Sequence, residues 1–144
     1  IAVAAIAVYG NTLGNAFVFD DSSSIVDNAV VRDLDVRAIF TTPSWWGRNL
    51  MEKGYRPLVT LSFALNHAAG GLNPVGYHLV NILLHALVSL LVYAIVLRLG
   101  GRQAPALLSG LLFAVHPLLT EAVGYVSGRA EVLCATFALA ASSA

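Results

Sequence analysis

The stretch that decides the fold is "YHLVNILLHALVSLLVYAIVL", residues 77–97, which contains no aspartate, glutamate, lysine or arginine. About 20 predominantly apolar residues in a helix are enough to cross the hydrocarbon core of a bilayer. The stretch therefore predicts a transmembrane helix. It is followed by "RLGGR", whose two arginines lie in a very short loop, and the positive-inside rule places such a loop in the cytoplasm.

The composition of the whole chain agrees with a membrane protein. It is 58% hydrophobic and 11% charged, with a mean hydropathy of +0.76, whereas a soluble domain carries about 25% charged residues. The formal net charge is zero and no lysine- or arginine-rich block is present, which excludes a nucleic-acid-binding protein. Cys134 is the only cysteine, which excludes an internal disulfide and a zinc site of several thiolates.

The same length rule predicts three further membrane spans, over residues 1–19, 104–126 and 131–144. We expect the span 104–126 to be kinked at Pro117, because proline lacks a backbone N–H and crowds the carbonyl group one turn earlier. The predicted fold class is an all-α, polytopic membrane bundle. The sequence begins without methionine and stops inside an apolar run, so we expect it to be part of a longer protein.

Residues 20–76 form the external loop of this topology, since residues 98–102 are assigned to the cytoplasm. Most of the acidic and basic residues of the chain lie between residues 20 and 57. Short amphipathic turns and the aromatic side chains of Trp45, Trp46 and Tyr55 predict interfacial helices in this loop. The apolar segment 58–69 is too short to span and favours an interfacial or re-entrant helix.

Two adjacent acids, Asp20 and Asp21, stand where the first apolar segment ends. Neighbours in a helix point about 100° apart, so the pair is not expected to share one proton as a dyad. We expect one carboxylate to act as a general base and the other to accept hydrogen bonds that fix the loop. Arg56, in "YRPL", presents a fork that matches phosphate oxygens; the alternative is a headgroup anchor.

Polar residues within the predicted spans are costly and often functional. His78, Asn81 and His85 lie three and seven positions apart, on one face of the helix 77–97. They form interhelical hydrogen bonds or a metal or phosphate site. His116, Glu121 and Arg129 lie towards the external side of the next span. They either cap a kinked helix, with an ion pair between Glu121 and arginine, or belong to an active site.

Three strings of motifs are distributed along the chain between residues 9 and 133: "YGNTLGNAFVFDDSSSIVDNAVVRDL", "YRPLVTLSFALNHAAGGLNPVGYHLVNILLHALVSLLVY" and "GLLFAVHPLLTEAVGYVSGRAEVL". Together they resemble the N-terminal membrane region of the transmembrane and tetratricopeptide-repeat-containing O-mannosyltransferases and their bacterial relatives. These enzymes belong to the GT-C superfamily of polytopic glycosyltransferases.

The resemblance implies an enzyme that moves a sugar, a mannose-type hexose, from a polyprenyl-phosphate donor to a hydroxyl of a protein or glycan. It implies that the acidic motif after the first helix corresponds to Asp20 and Asp21 as catalytic residues, with Asp20 favoured as the base. It places near the substrate a further set of residues: Arg56, His78, His85, His116, Glu121 and Arg129. The family's later helices and its tetratricopeptide repeats lie outside this sequence, so we expect the isolated segment to be inactive.

The expected reaction is a one-step displacement that inverts the anomeric configuration. By resemblance we expect no metal, although Asp20 or Asp21 with Glu121 would offer hard oxygen ligands to Mg²⁺ or Mn²⁺. The alanine- and leucine-rich composition favours a bacterial inner membrane with a periplasmic site, or the lumen of the endoplasmic reticulum in a eukaryote. Two alternatives remain open: a transporter or flippase of lipid-linked sugars, and a non-catalytic membrane anchor of a repeat domain.

Overall fold

The computed structural model describes residues 1–41 and 55–143, which are mostly helical and contain no β-strand. The all-α class is therefore confirmed for this part of the chain, whereas Trp45 and Trp46 lie outside it. The α-helices, in chain order, are α1 (Ala2–Tyr9), α2 (Ala29–Arg32), α3 (Val36–Thr41), α4 (Pro57–Gly70), α5 (Pro74–Gly100), α6 (Gln103–Ala114), α7 (Thr120–Gly124) and α8 (Arg129–Ser143). Short 3₁₀ segments cover Gly10–Gly14, Pro117–Leu119 and Val126–Gly128, and a π-helical turn covers Ser22–Val26.

Helix α5 is the central element, and its ends are fixed by local sequence signals. Asn73 caps its N-terminus by accepting a 3.2 Å hydrogen bond from the backbone N–H of Val75, and Pro74 occupies the first helical position. Gly101 ends it in the left-handed conformation, with φ of 62°. Within the ranges described, α5 is the one unbroken helix long and apolar enough to cross a membrane.

The two faces of α5 have opposite character. Its buried face carries polar residues, including His78, Asn81, His85 and Ser89. Large exposed leucines lie on the other face: Leu79, Leu83, Leu87 and Leu90. Helices α1, α6 and α8 pack against the buried face. This arrangement fits a helix that turns apolar side chains towards lipid and keeps polar ones inside the bundle.

The first apolar segment is helical over a shorter length than residues 1–19. After α1 the chain tightens into the 3₁₀ segment Gly10–Gly14, and residues 15–18 have no helical structure. Gly10, Gly14 and Asn15 have low helix propensity, which accounts for the change. The extended residues lead directly into the two aspartates.

The predicted kink at Pro117 is a complete break. Helix α6 ends at Ala114, and the following 3₁₀ segment with α7 is bent from it by 46°. The backbone N–H of Leu118 donates to Nδ1 of His116 at 3.3 Å, rather than to the carbonyl of Ala114. If this bent pair crosses the membrane as one unit, the described residues hold two candidate spans; the polytopic bundle stays a prediction.

Neighbouring helices satisfy the carbonyl groups that the break frees. Nε2 of His85 lies 3.1 Å from the carbonyl oxygen of Ala114, and the hydroxyl of Tyr9 donates to the carbonyl of His116 at 2.7 Å. The rings of Tyr9 and His85 meet edge to face, with centroids 4.9 Å apart. A broken helix is tolerated in a membrane when its backbone groups find such partners.

The segment that follows the two aspartates forms its own small core on α4. Ile25, Val31 and Ile39 are buried against Phe63 and its neighbours. Their short helical turns present one apolar side chain each to α4, and the predicted interfacial segment 58–69 falls within this helix. The core holds the segment that follows the two aspartates close to α4 and to the N-terminal end of α5.

We predict that Gly128→Ala destabilises the fold. A Cβ atom at Gly128 would lie 2.6 Å from the carbonyl oxygen and 2.9 Å from the Cα of Ala122, so the backbone would have to move. Such overpacking costs about 1–3 kcal/mol. Thermal unfolding of the full-length protein in detergent measures the effect.

Gly70→Ala is the matched control, because a Cβ there meets nothing within 4 Å and replacing a helical glycine is neutral or slightly stabilising. Equal unfolding temperatures for Gly128→Ala and the parent would contradict the predicted close approach.

Candidate active site

Asp21 is fully buried and holds two distant parts of the chain together. Its Oδ2 accepts a hydrogen bond from the backbone N–H of Val18 at 3.1 Å. Its Oδ1 accepts two more, from the backbone N–H of Ser127 at 2.9 Å and from the Ser127 hydroxyl at 2.7 Å. Three donors stabilise a buried carboxylate that has no basic side chain among these partners. Asp21 thus fixes the segment that follows α1 against Ser127.

Asp20 differs from Asp21 in burial and in side-chain hydrogen bonding. It is exposed, and in the part of the chain described its carboxylate makes no hydrogen bond. Only its backbone is fixed, because its N–H donates to the hydroxyl of Tyr125 at 2.9 Å. The preceding Phe19 is 88% exposed and has a φ of 47°, a left-handed conformation that costs energy for a bulky residue. Asp20 is thus the solvent-exposed carboxylate of the pair.

Arg129 is fully buried, and it joins α4 to α5. Its Nε donates to Oδ1 of Asn81 at 2.8 Å, and its Nη2 donates to the carbonyl of Tyr77 at 2.8 Å. Its Nη1 reaches α4, with Oδ1 of Asn66 at 2.7 Å and both oxygens of Ser62 at 3.3 Å. The guanidinium carbon also lies 4.6 Å from the centre of the Phe63 ring.

These contacts occupy the guanidinium within the protein, which leaves Arg129 poorly placed to meet a substrate phosphate directly. Glu121 is not among its hydrogen-bond partners and is exposed, so the ion-pair interpretation finds no support here.

The three polar residues of the stripe on α5 have different surroundings. Asn81 donates from Nδ2 to the carbonyl oxygens of Tyr125 at 3.0 Å and Val126 at 3.3 Å, and so anchors the turn before α8. Nε2 of His85 contacts the carbonyl oxygen of Ala114, at the break after α6. His78 is 1% exposed, and neither of its ring nitrogens has a hydrogen-bond partner among the residues described.

A metal centre is not assembled by these side chains. Among residues 1–41 and 55–143, no group of three or more histidine, cysteine, aspartate or glutamate side chains is close enough to hold an ion. His116 is exposed and uses Nδ1 to cap the 3₁₀ segment that follows it. The predicted histidines are therefore not gathered into a metal site within the described residues.

A groove of ≈ 810 Å³ runs between the start of α4 and the exposed side of α8. Its lining is largely apolar, with side chains such as Leu58, Leu133 and Phe137. Its polar residues include Arg56, Ser127 and Glu131. Because Ser127 also donates to Asp21, the end of the groove adjoins the acidic pair.

Tyr125 and Ser127 were not predicted as site residues. Both are uncharged, and each contacts an aspartate more than 100 positions away in the sequence. The only signal was their position in the quoted string "GYVSGR", where nothing distinguishes them from residues that cap a helix.

Comparison with known proteins identifies the chain. Residues 51–139 match the family model of the dolichyl-phosphate-mannose-protein mannosyltransferases. The human protein O-mannosyl-transferase TMTC2 is 45% identical over 139 residues, which are 93% of this chain and 16% of that protein. The Drosophila melanogaster protein O-mannosyl-transferase Tmtc1 is 41% identical over 141 residues, or 94% of this chain and 16% of that protein.

The human protein O-mannosyl-transferase TMTC4 is 41% identical over 153 residues, covering 94% of this chain and 21% of that protein. The chain thus spans about a fifth or less of the length of these relatives, and no solved structure is significantly similar to it. The resemblance found in the motifs is confirmed: the chain belongs to the dolichyl-phosphate-mannose-protein mannosyltransferase family, with the transmembrane and tetratricopeptide-repeat-containing O-mannosyltransferases as its relatives.

Proposed function

We propose that this chain supplies the acidic motif and part of the donor site of a membrane O-mannosyltransferase. The enzyme takes a mannose-type hexose from a polyprenyl-phosphate donor and transfers it to a hydroxyl of a protein, on the periplasmic or luminal side. The observation that carries the proposal is the contrast between the two aspartates. Asp21 is buried and accepts three hydrogen bonds, whereas the neighbouring Asp20 carboxylate is exposed and makes no hydrogen bond within residues 1–41 and 55–143.

Asp20 acts as the general base in this mechanism. Its carboxylate takes the proton of the acceptor hydroxyl while that oxygen forms a bond to the anomeric carbon of the sugar. The bond between that carbon and the phosphate oxygen breaks at the same time, and its electron pair leaves with the polyprenyl phosphate. Attack from the face opposite the leaving group inverts the anomeric configuration. A positioned base contributes ~100- to 10,000-fold to such a step.

The groove between α4 and α8 fits the donor lipid. Its apolar lining offers a surface for an isoprenoid chain, and Arg56 lies exposed in the same lining, where it can meet a phosphate. In this proposal, the anomeric carbon of a bound donor lies at the adjoining end of the groove, near Ser127 and the acidic pair. Arg129 and His85 contribute by holding this framework through their hydrogen bonds. His78 stays a buried candidate, and His116 and Glu121 stay exposed candidates on the acceptor side.

The structure supports a transporter or a non-catalytic anchor less well than a transferase. A transporter would line a path with ionisable side chains, yet the side chains of Arg129 and His85 form hydrogen bonds with other groups of the protein. A non-catalytic anchor does not explain an exposed carboxylate placed after a strained Phe19. We propose that the transfer needs no divalent metal; loss of turnover in a chelator, restored by Mg²⁺ or Mn²⁺ alone, would overturn that part.

We predict that Asp20→Asn and Asp21→Asn fail in different ways. Asp20→Asn removes the base at an exposed position, so kcat falls ~100- to 10,000-fold while abundance and donor binding are kept. Asp21→Asn places an amide where a carboxylate accepted three hydrogen bonds, so the fold loses about 1–3 kcal/mol and abundance falls. The measurement is transfer from radiolabelled polyprenyl-phosphate mannose by full-length protein, with unfolding temperatures in parallel.

If Asp20→Asn transfers as fast as the parent, Asp20 is not the base. If the parent itself transfers no sugar from this donor, the glycosyltransferase proposal fails for this chain.

We also predict that Arg56→Gln weakens binding of the polyprenyl-phosphate donor. The loss of a charged hydrogen bond to phosphate raises the KM for the polyprenyl-phosphate sugar ~10-fold, with a smaller change in kcat. Arg98→Gln is the control, because Arg98 lies in the last turn of α5, on the predicted cytoplasmic side. Equal KM values for Arg56→Gln and Arg98→Gln would remove Arg56 from the donor site.

A further inference from the structure

The two aspartates are joined to the turn before α8 by three hydrogen bonds that cross more than 100 residues of sequence. The Asp20 N–H donates to the Tyr125 hydroxyl at 2.9 Å. The backbone N–H and the hydroxyl of Ser127 both donate to Oδ1 of Asp21, at 2.9 and 2.7 Å. These contacts, made by Tyr125 and Ser127, are called the 125–127 bridge below.

The bridge rests on a fixed support. Asn81 donates to the carbonyl oxygens of Tyr125 and Val126, from the middle of the buried face of α5. Gly128 lies so close to the backbone of Ala122 that no Cβ fits between them. Arg129 then ties the same turn to α4 and α5. Residues 125–129 are therefore held from three directions.

The acidic turn on the other side has fewer supports of its own. Residues 15–18 have no helical structure, and Phe19 is exposed in a left-handed conformation. A non-glycine residue in this conformation costs on the order of 1–3 kcal/mol and persists when its surroundings fix it. The bridge supplies that fixation directly on either side of the Asp20 carboxylate, at the Asp20 N–H and at the Asp21 side chain.

From this geometry we infer that Tyr125 and Ser127 are positioning residues for the reaction, which hold the Asp20 carboxylate in register with the groove that Ser127 lines. The inference rests on the proposed function. Neither residue touches the reacting atoms: Tyr125 fixes the backbone of the base, and Ser127 fixes the neighbouring carboxylate. A base held within hydrogen-bond reach of its proton is what general-base catalysis requires, and small displacements are costly.

The test compares Ser127→Ala and Tyr125→Phe with the parent in the full-length protein, in two independent measurements. We expect each variant to lower kcat about 10-fold with little change in the KM for polyprenyl-phosphate mannose, because the donor contacts stay in place. We expect hydrogen–deuterium exchange to speed up in peptides covering residues 15–27, and to stay unchanged in α6. Ser127→Thr, which keeps the hydroxyl, restores most of kcat.

Ser109→Ala is the matched control for the serine, since the Ser109 hydroxyl donates only to the backbone carbonyl of Pro105 within α6. A double-mutant cycle adds a third check: in the Asp21→Asn background, Ser127→Ala has no further effect on kcat, because the bond it removes is already altered.

The outcomes separate the inference from the proposed function. Faster exchange with unchanged kcat shows a bridge that is structural only, and overturns the positioning role while the transferase proposal stands. Unchanged exchange shows that the bridge does not hold the acidic turn, and also overturns it. A parent that transfers no sugar overturns the proposed function and the positioning role together, whatever the exchange shows.

Discussion

The burial of Arg129 is the interaction on which the rest of the structure depends. A guanidinium removed from water is costly unless its donors are satisfied, and here they are met by Asn81 and Tyr77 on α5 and by Ser62 and Asn66 on α4. None of these partners is a carboxylate. The charge is instead shared among neutral oxygens and the faces of aromatic rings. Two helices and the turn before α8 can then take only one arrangement around it.

This arrangement explains how an apolar bundle presents a polar site at one end. Arg129 and Asn81 fix the turn at residues 125–128, and that turn offers a hydroxyl and an N–H to Asp21. Asp21 in turn fixes the strained segment that exposes Asp20. A sequence of hydrogen bonds therefore runs from the buried face of α5 to the exposed Asp20 at the surface. Each step uses side chains whose burial would be unfavourable without the next.

The histidines illustrate why polar residues in a membrane helix are ambiguous in sequence. His85 and His116 both stabilise the break at Pro117. Nε2 of His85 contacts the carbonyl oxygen of Ala114, and Nδ1 of His116 caps the segment that follows the break. A bent pair of helices in a membrane needs such partners, because lipid offers none. His78 stays buried without a partner among the residues described.

The sequence by itself determined the helical class, the long apolar helix that contains residues 77–97, and the family, and it singled out Asp20 and Asp21 as candidates. These follow from local periodicity, from composition and from ordered motifs, which tertiary structure does not alter. The length of the first helix, the full break at Pro117 and the different environments of the two aspartates needed the tertiary structure. The reason is that partners such as Tyr125 and Ser127 are uncharged and lie more than 100 residues from the acids they contact. No spacing rule in the sequence can bring such residues together, since only the packing of α4, α5 and α8 around Arg129 does so.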